Sequence, residues 1–147
     1  MVRVLETTWG IVNWSCNFCE AENSSEWLQL EREGPSCRTC GSSVRQRHIR
    51  HVLEQKVLKI ERKKLRPLRI LGLSDATLIE DYLSGLRGVR YKNTFFDVRP
   101  RLDITNPSIF LRGSADILIS SDVLEHVFFP VSKALDGHST VLKRGGL

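Results

Sequence analysis

The stretch LRILGLSDATLIEDYLSGL, residues 68–86, joins a short apolar run to an amphipathic segment. Leu68–Leu73 is almost wholly apolar, which is typical of a strand buried within a sheet, and Thr77–Leu86 has the spacing of a short helix. Val89–Lys92 and Ala115–Ser120 have the same strand character. Buried strands that alternate with helices indicate a parallel sheet. We therefore predict an α/β fold for this part of the chain.

Polar residues follow each predicted strand. After the last strand, we expect Val123–Leu135 to begin with a helical turn that is interrupted or restarted at Pro130. In parallel α/β sheets, ligands bind beyond the carboxyl ends of the strands. Aspartate is also common in loops as a cap or turn former, so a ligand site and ordinary turns both remain open. The candidate positions are Ser74 and Asp75, Asp97 or Asp103, and Ser121 and Asp122.

The four cysteines of the chain form two C-x-x-C pairs, Cys16 with Cys19 and Cys37 with Cys40. This spacing is typical of a four-thiolate zinc site, in which four sulfurs surround the ion at ~2.3 Å. Two disulfides in a secreted domain are the alternative, but the first residues lack the apolar core of a signal peptide. Thioredoxin-like motifs occur singly. We predict a zinc-ribbon-like module over residues 1–43 that holds structural zinc.

The composition, 41% apolar and 27% charged, is that of a folded domain. No apolar run approaches the ~20 residues that span a bilayer, so we expect a cytoplasmic protein without a membrane segment. The net charge of +5 is unevenly distributed. Residues 1–37 carry two Arg against six Glu, and residues 38–69 carry eleven Lys or Arg against two Glu, while the remainder is balanced.

The basic stretch predicts a linking helix over residues 44–66, with Ser42 and Ser43 as possible N-caps and Pro67 after its end. Its apolar face would comprise Ile49, Val52, Leu53, Val57 and Ile60. The other positions hold Arg45, Arg47, Arg50, Lys56, Lys59, Arg62, Lys63 and Lys64. This face is either solvated or contacts nucleic acid through Arg45–Arg66. It lacks aromatic residues for base stacking.

Several motifs together resemble class I S-adenosylmethionine-dependent methyltransferases of the type 11-like group. In that family a buried strand ends in D-V-L-E-H-V and the next helix runs into L-K-P-G-G; here residues 122–127 read DVLEHV and residues 142–146 read LKRGG. The runs REGPSCRTCGSSVRQR, ILGLSD and NTFFDVRPRLDIT are similar to a bacterial subgroup with a cysteine-rich N-terminal module. In that subgroup a G-x-S-D turn replaces the glycine-rich first motif.

The resemblance implies that residues 67–147 form the N-terminal half of a methyltransferase domain, an incomplete Rossmann-like sheet with the first four strands. S-adenosylmethionine would lie beyond the strand ends. Gly72, which lacks a Cβ, would allow the backbone to approach the amino acid part of the cofactor. Asp75, beside Ser74, would accept hydrogen bonds from the methionine ammonium.

For the rest of the cofactor, the resemblance implies that Asp97 holds the ribose hydroxyls, unless that position falls on Phe95. Asp103 would accept a hydrogen bond from the adenine amino group, with Ile104 beside the ring. Ser121 and Asp122 would line the sulfonium end.

The expected reaction is methyl transfer to an unknown acceptor, with catalysis resting on alignment of the two reactants. Glu125 and His126 are either candidates for a base or anchors of a helix. A complete sheet of this family has seven strands, so we expect a fragment, or a chain completed by a partner, that is inactive alone. Its open strand edge predicts self-association. The alternative function is a noncatalytic zinc-ribbon protein that binds nucleic acid through the basic helix.

Overall fold

The computed structural model describes residues 4–8, 10–26, 33–61, 66–128 and 130–147, with the side chains of residues 4–8 and 57–61 left out. The chain divides into two compact units, Met1–Arg62 and Lys63–Leu147. The predicted positions Arg62, Lys63 and Lys64, and the side chains of Val57, Lys59 and Ile60, lie outside the described part. Across that part, no helix has both the length and the apolar character that a bilayer crossing requires.

In the first unit, three antiparallel strands in the order β1-β2-β3 precede a long helix. Strands β1 (Val4–Thr8) and β2 (Ile11–Ser15) form a hairpin. Gly10 supplies the positive φ of 82° in its two-residue turn. Strand β3 (Glu22–Glu26) pairs with β2 on its other side. The segment between β2 and β3 carries the first cysteine pair.

Helix α1 (Val44–Glu61) begins with a reciprocal cap. The Gln46 amide N–H donates to the Ser43 hydroxyl, and the Gln46 side chain accepts from the Ser43 N–H. The prediction of a serine N-cap is therefore confirmed. The predicted faces are only partly right, because Leu53 is buried, Val52 is 39% exposed, and Arg47 is buried rather than on a solvated basic face.

The second unit is built on a parallel sheet, as its sequence predicts. Strands β4 (Leu68–Leu73), β5 (Val89–Thr94) and β6 (Ile117–Ser120) pair in the order β5-β4-β6. Helix α2 (Thr77–Ser84) joins β4 to β5. After β6, a short 3₁₀ turn (Leu124–His126) precedes α3 (Val131–Val141), so the chain does restart as a helix after Pro130. The α/β class is confirmed.

The expected count of four strands in this unit is wrong for the described residues, whose parallel sheet has three. Between β5 and β6 the chain forms an isolated bridge from Phe95 to Arg101, a turn at Asp103 and a 3₁₀ turn, Ile109–Leu111. Pro100 and Pro107 interrupt this segment, and proline cannot donate to a strand ladder. The described residues of this unit therefore form a three-stranded parallel sheet, and a Rossmann-like methyltransferase sheet is not confirmed.

Helix α3 covers one face of this sheet. Leu71 and Leu73 of β4 contact the apolar cluster that α3 covers; the buried members of this cluster are Leu73, Leu102, Ile104, Ala115, Ala134 and Val141. Ile70 and Gly72 point to the opposite face because side chains alternate along a strand. Since β4 lies between β5 and β6, the strand order reverses beside β4. Ligands of parallel α/β sheets bind at such a point.

Candidate functional site

The two C-x-x-C segments adopt the same backbone turn. The Cys16 N–H donates to the Ala21 carbonyl and its own carbonyl accepts from Glu20, while Cys37 is bonded in the same way to Ser42 and Gly41. Glu20 and Gly41, which end the two turns, both have positive φ, 61° and 71°. The sequence thus contains two copies of one turn, each presenting two sulfurs.

The two turns bring the four sulfurs together as predicted. Cys16 Sγ lies 3.6 Å from Cys40 Sγ, and Cys19 Sγ lies 3.6 Å from Cys37 Sγ. All four atoms lie within 4.8 Å of one another. A tetrahedron of thiolates at ~2.3 Å from an ion has edges of about 3.8 Å. The cysteines could therefore hold a metal ion, and they are compatible with structural zinc.

The local environment separates the acidities of these thiols. Burial opposes ionisation of Cys37, but hydrogen bonds from the Cys40 and Thr39 N–H groups help lower its pKa to about 6. For Cys19, a backbone hydrogen bond favours the thiolate, yet burial and the neighbouring sulfurs raise its pKa to about 12. Four crowded sulfurs resist full ionisation by themselves, and a divalent cation at their centre would remove that resistance.

A cavity of about 460 Å³ lies beyond the carboxyl ends of β4 and β5. This volume is within the range of small-molecule sites. Its lining comprises Leu73, Ser74, Thr94, Phe95, Phe96, Leu102, Asp103, Ile104, Thr105, Val123, Glu125, His126, Val127 and Phe128. The cavity lies where the strand order reverses, on the face of the sheet that carries Leu73.

The lining of this cavity is apolar with a negative bias. Asp103 and Glu125 are its carboxylates, and the described lining residues include no lysine or arginine. Three aromatic rings, Phe95, Phe96 and Phe128, contribute to the wall. Carboxylates and ring faces both attract cations. The Arg101 guanidinium already lies over the Phe96 ring, 5.6 Å from its centroid, and Phe128 is almost fully exposed. The two carboxylates and Phe95 are therefore the groups that favour a flat or cationic ligand over an anionic one.

The loop that carries Asp103 and Ile104 is fixed from two sides. Asp103 Oδ1 accepts from the Thr105 N–H at 2.9 Å and from the Thr105 hydroxyl at 2.7 Å, which is an Asx turn. Helix α3 packs against the same loop at Gly137, where an added Cβ would overlap the Ile104 carbonyl oxygen. Gly137 thus permits the close packing that positions one wall of the cavity.

Gly72 and Asp75 lie on the other face of the sheet. The Asp75 carboxylate accepts from the Tyr91 hydroxyl at 2.8 Å and lies over Gly72, where a Cβ would overlap it. Asn93 bonds to the Asp75 backbone and to Glu80. Burial, with a smaller contribution from Glu80, raises the pKa of Asp75 to about 6, although the Tyr91 bond opposes this shift. The structure therefore does not bring Gly72 or Asp75 to the cavity.

Of the other predicted cofactor residues, Ser74, Asp103 and Ile104 line the cavity, whereas Asp97, Ser121 and Asp122 are not among its lining residues. The roles assigned to these residues stay predictions. Glu125 and His126, which the sequence singled out as a candidate base or helix anchors, do line the cavity. Sequence reasoning missed Thr94, Phe96 and Phe128, because nothing in a strand end or a loop phenylalanine distinguishes a wall from an exposed surface.

No protein-family model matches the chain, and searches of the curated proteins and of the solved structures gave no match either.

Proposed function

We propose that the second unit binds S-adenosylmethionine and transfers its methyl group to an acceptor. The observation that carries this proposal is the cavity at the reversal of strand order, with carboxylates and aromatic rings in its wall. The cofactor is a sulfonium cation that also carries a flat adenine ring. Both features suit a wall that combines negative charge with ring faces. The DVLEHV and LKRGG motifs add the sequence resemblance to this physical argument.

Different residues of the cavity would bind the adenine end and the cationic end of S-adenosylmethionine. Asp103 Oδ1 is engaged by Thr105, so the second carboxylate oxygen would accept the adenine amino group, with buried Ile104 beside the ring. Glu125 would face the cationic end. The bound cofactor supplies an activated methyl group, and the protein would contribute alignment of the acceptor and exclusion of water.

The exposed pair Glu125 and His126 would lie on the acceptor side. Their side chains are 53% and 76% exposed, and His126 Nε2 lies 3.6 Å from Glu125 Oε1. A partly solvated histidine beside a carboxylate can accept a proton from an incoming acceptor. A separate role follows for the first unit, in which zinc bound by the four cysteines would stabilise the fold and take no part in the reaction.

Calorimetric titration of S-adenosylmethionine into the zinc-loaded chain tests the proposal. Asp103→Asn keeps the oxygen that binds Thr105 but replaces the acceptor for adenine with a donor, so affinity should fall by about 1–3 kcal/mol. Asp81→Asn is the matched control, since Asp81 is exposed on α2, is not among the cavity-lining residues and has no assigned role in cofactor binding. Equal loss in both variants would move the adenine site away from Asp103. No binding by the wild-type chain would overturn the proposal.

Nucleic-acid binding by the first unit is the alternative outcome. Several basic side chains of α1 already have partners: Arg45 pairs with Glu33 at 3.3 Å, Arg50 pairs with Glu54 at 2.8 Å, and Arg47 is buried. These contacts reduce the charge available to phosphates. A steep fall of nucleic-acid affinity with salt would support the alternative, because phosphate contacts release counterions.

A further inference from the structure

A buried cation lies beside the four-cysteine cluster. Arg47 of α1 is 4% exposed, and its guanidinium stacks over the Trp14 ring at 4.1 Å. It donates to the Pro35 carbonyl at 2.8 Å and to the Ser42 carbonyl. Within the described parts of the chain, Arg47 forms no ion pair with a carboxylate. A buried guanidinium held only by neutral groups is costly, so its counter-charge must come from another source.

The sulfurs of Cys16, Cys37 and Cys40 interact electrostatically with Arg47 and can supply that charge when they are ionised. The Ser42 hydroxyl lies 3.4 Å from Arg47 Nη1, 3.2 Å from Cys16 Sγ and 3.3 Å from Cys40 Sγ. Ser42 is fully buried. The Cys40 thiol donates to this hydroxyl. With both sulfurs ionised, the hydroxyl can accept a hydrogen bond from the guanidinium and donate its single proton to Cys16 or to Cys40. It therefore connects the buried cation to two of the four sulfurs.

The charge of a metal-bound four-cysteine cluster explains why a buried arginine would be useful beside it. A divalent ion with four thiolates has a net charge of −2, and a buried dianion needs compensation. Arginine stays protonated in proteins, so Arg47 reduces the local charge to −1. We propose that Arg47, acting directly and through Ser42, is the charge-compensating residue of the metal centre: it strengthens binding of a divalent ion and shields the thiolates from electrophiles. This inference is independent of the methyltransferase proposal.

The first test compares Arg47→Met with Arg47→Lys in the full chain. Zinc affinity is measured by competition with a chromogenic chelator, and folding by circular dichroism. Outer contacts of metal ligands typically contribute 10–100-fold to affinity, so Arg47→Met should lose that much and Arg47→Lys less. If Arg47 only fills space, methionine should be tolerated at least as well as lysine, since it is buried without a charge. Zinc binding by Arg47→Met as tight as that of the wild type, or tighter than that of Arg47→Lys, would overturn the proposal.

The second test does not require a change at Arg47. Ser42→Ala leaves the carbonyls that hold the guanidinium but removes its connection to the sulfurs. Iodoacetamide labelling of the zinc-loaded chain, followed by peptide mapping, should show severalfold faster alkylation of Cys16 and Cys40 than in wild type. Cys19 and Cys37 should keep their rates. Asn23→Ala is the matched control. Asn23 Nδ2 contacts Cys37 Sγ at 3.5 Å, whereas the Ser42 hydroxyl contacts Cys16 and Cys40.

If neither Arg47 variant folds with zinc, the Ser42→Ala labelling pattern decides the proposal. Selective acceleration at Cys16 and Cys40 supports it. Unchanged rates at these two cysteines, or an equal increase at all four, overturn it.

Discussion

Replacement of Gly137 by alanine tests the link between packing and the cavity. Gly137 lies within α3, and an added Cβ would overlap the Ile104 carbonyl oxygen and lie 2.9 Å from its carbon. Distances under 3.0 Å are essentially never seen for Cβ atoms. The obstacle is backbone, which cannot rotate away, so α3 and the loop must separate by on the order of 1 Å, and overpacking of this kind costs about 1–3 kcal/mol.

Two opposing effects determine whether Gly137→Ala raises or lowers the free energy of unfolding. Alanine favours a helix over glycine by roughly 1 kcal/mol, so propensity alone predicts stabilisation. The overlap with a fixed carbonyl lies at the upper end of the overpacking range, and we expect net destabilisation of about 2 kcal/mol. The moved loop carries Asp103 and Ile104, so S-adenosylmethionine affinity should fall as well.

Chemical denaturation followed by far-UV circular dichroism and tyrosine emission measures this effect. Both tyrosines of the chain lie in the second unit, and all three tryptophans lie in the first, so tryptophan emission is an internal control. Gly85→Ala is the matched variant, since a Cβ there meets the Asp81 carbonyl at 3.3 Å and φ is −78°. If Gly137→Ala were as stable as wild type, the packing argument would be refuted.

Three further predictions concern charge and metal. A chelator should unfold the first unit, seen as a change in tryptophan emission, and leave the tyrosine signal of the second unit unchanged, because structural zinc contributes to folding. Asp75 binds a proton between about pH 4 and pH 6 in the folded chain but releases it when unfolded, so stability should fall as pH rises through this window, by at most about 3 kcal/mol. Asp75→Asn should abolish that dependence, as denaturation at pH 4 and pH 7 would show. Asp116→Asn should cost about 3 kcal/mol, because buried Asp116 accepts from Lys143 Nζ at 2.6 Å; an unchanged denaturation midpoint would contradict this.

The local sequence was enough to predict those helices, strands and caps that are determined by residues close together in the chain. The strand at Leu68–Leu73, the restart of the helix after Pro130 and the serine cap of α1 follow from runs, prolines and hydrogen-bonding side chains within four residues. The four-sulfur cluster joins residues 18 and 24 positions apart. It was nevertheless predictable, because the spacing of the two C-x-x-C pairs is typical of ligands that share one ion.

Features that depend on tertiary packing were not predictable. Arg47 occupies a basic position of an amphipathic helix, yet it is buried because Trp14 and the Pro35 and Ser42 carbonyls bind it. Asp75 follows a strand, as a ligand residue would, but Tyr91 draws its carboxylate to the face opposite the cavity. In both cases an aromatic partner distant in sequence, Trp14 for Arg47 and Tyr91 for Asp75, decides where the side chain lies.

Titration of S-adenosylmethionine into the ¹⁵N-labelled, zinc-loaded chain, followed through the amide resonances, tests whether the cavity of the second unit binds the cofactor. We expect saturable shifts of Ser74, Asp103–Thr105, Val123 and Glu125–Val127, which line the cavity, while the resonances of the four cysteines remain unchanged. Shifts confined to α1 and the cysteine turns, or no shifts at millimolar cofactor, would contradict it.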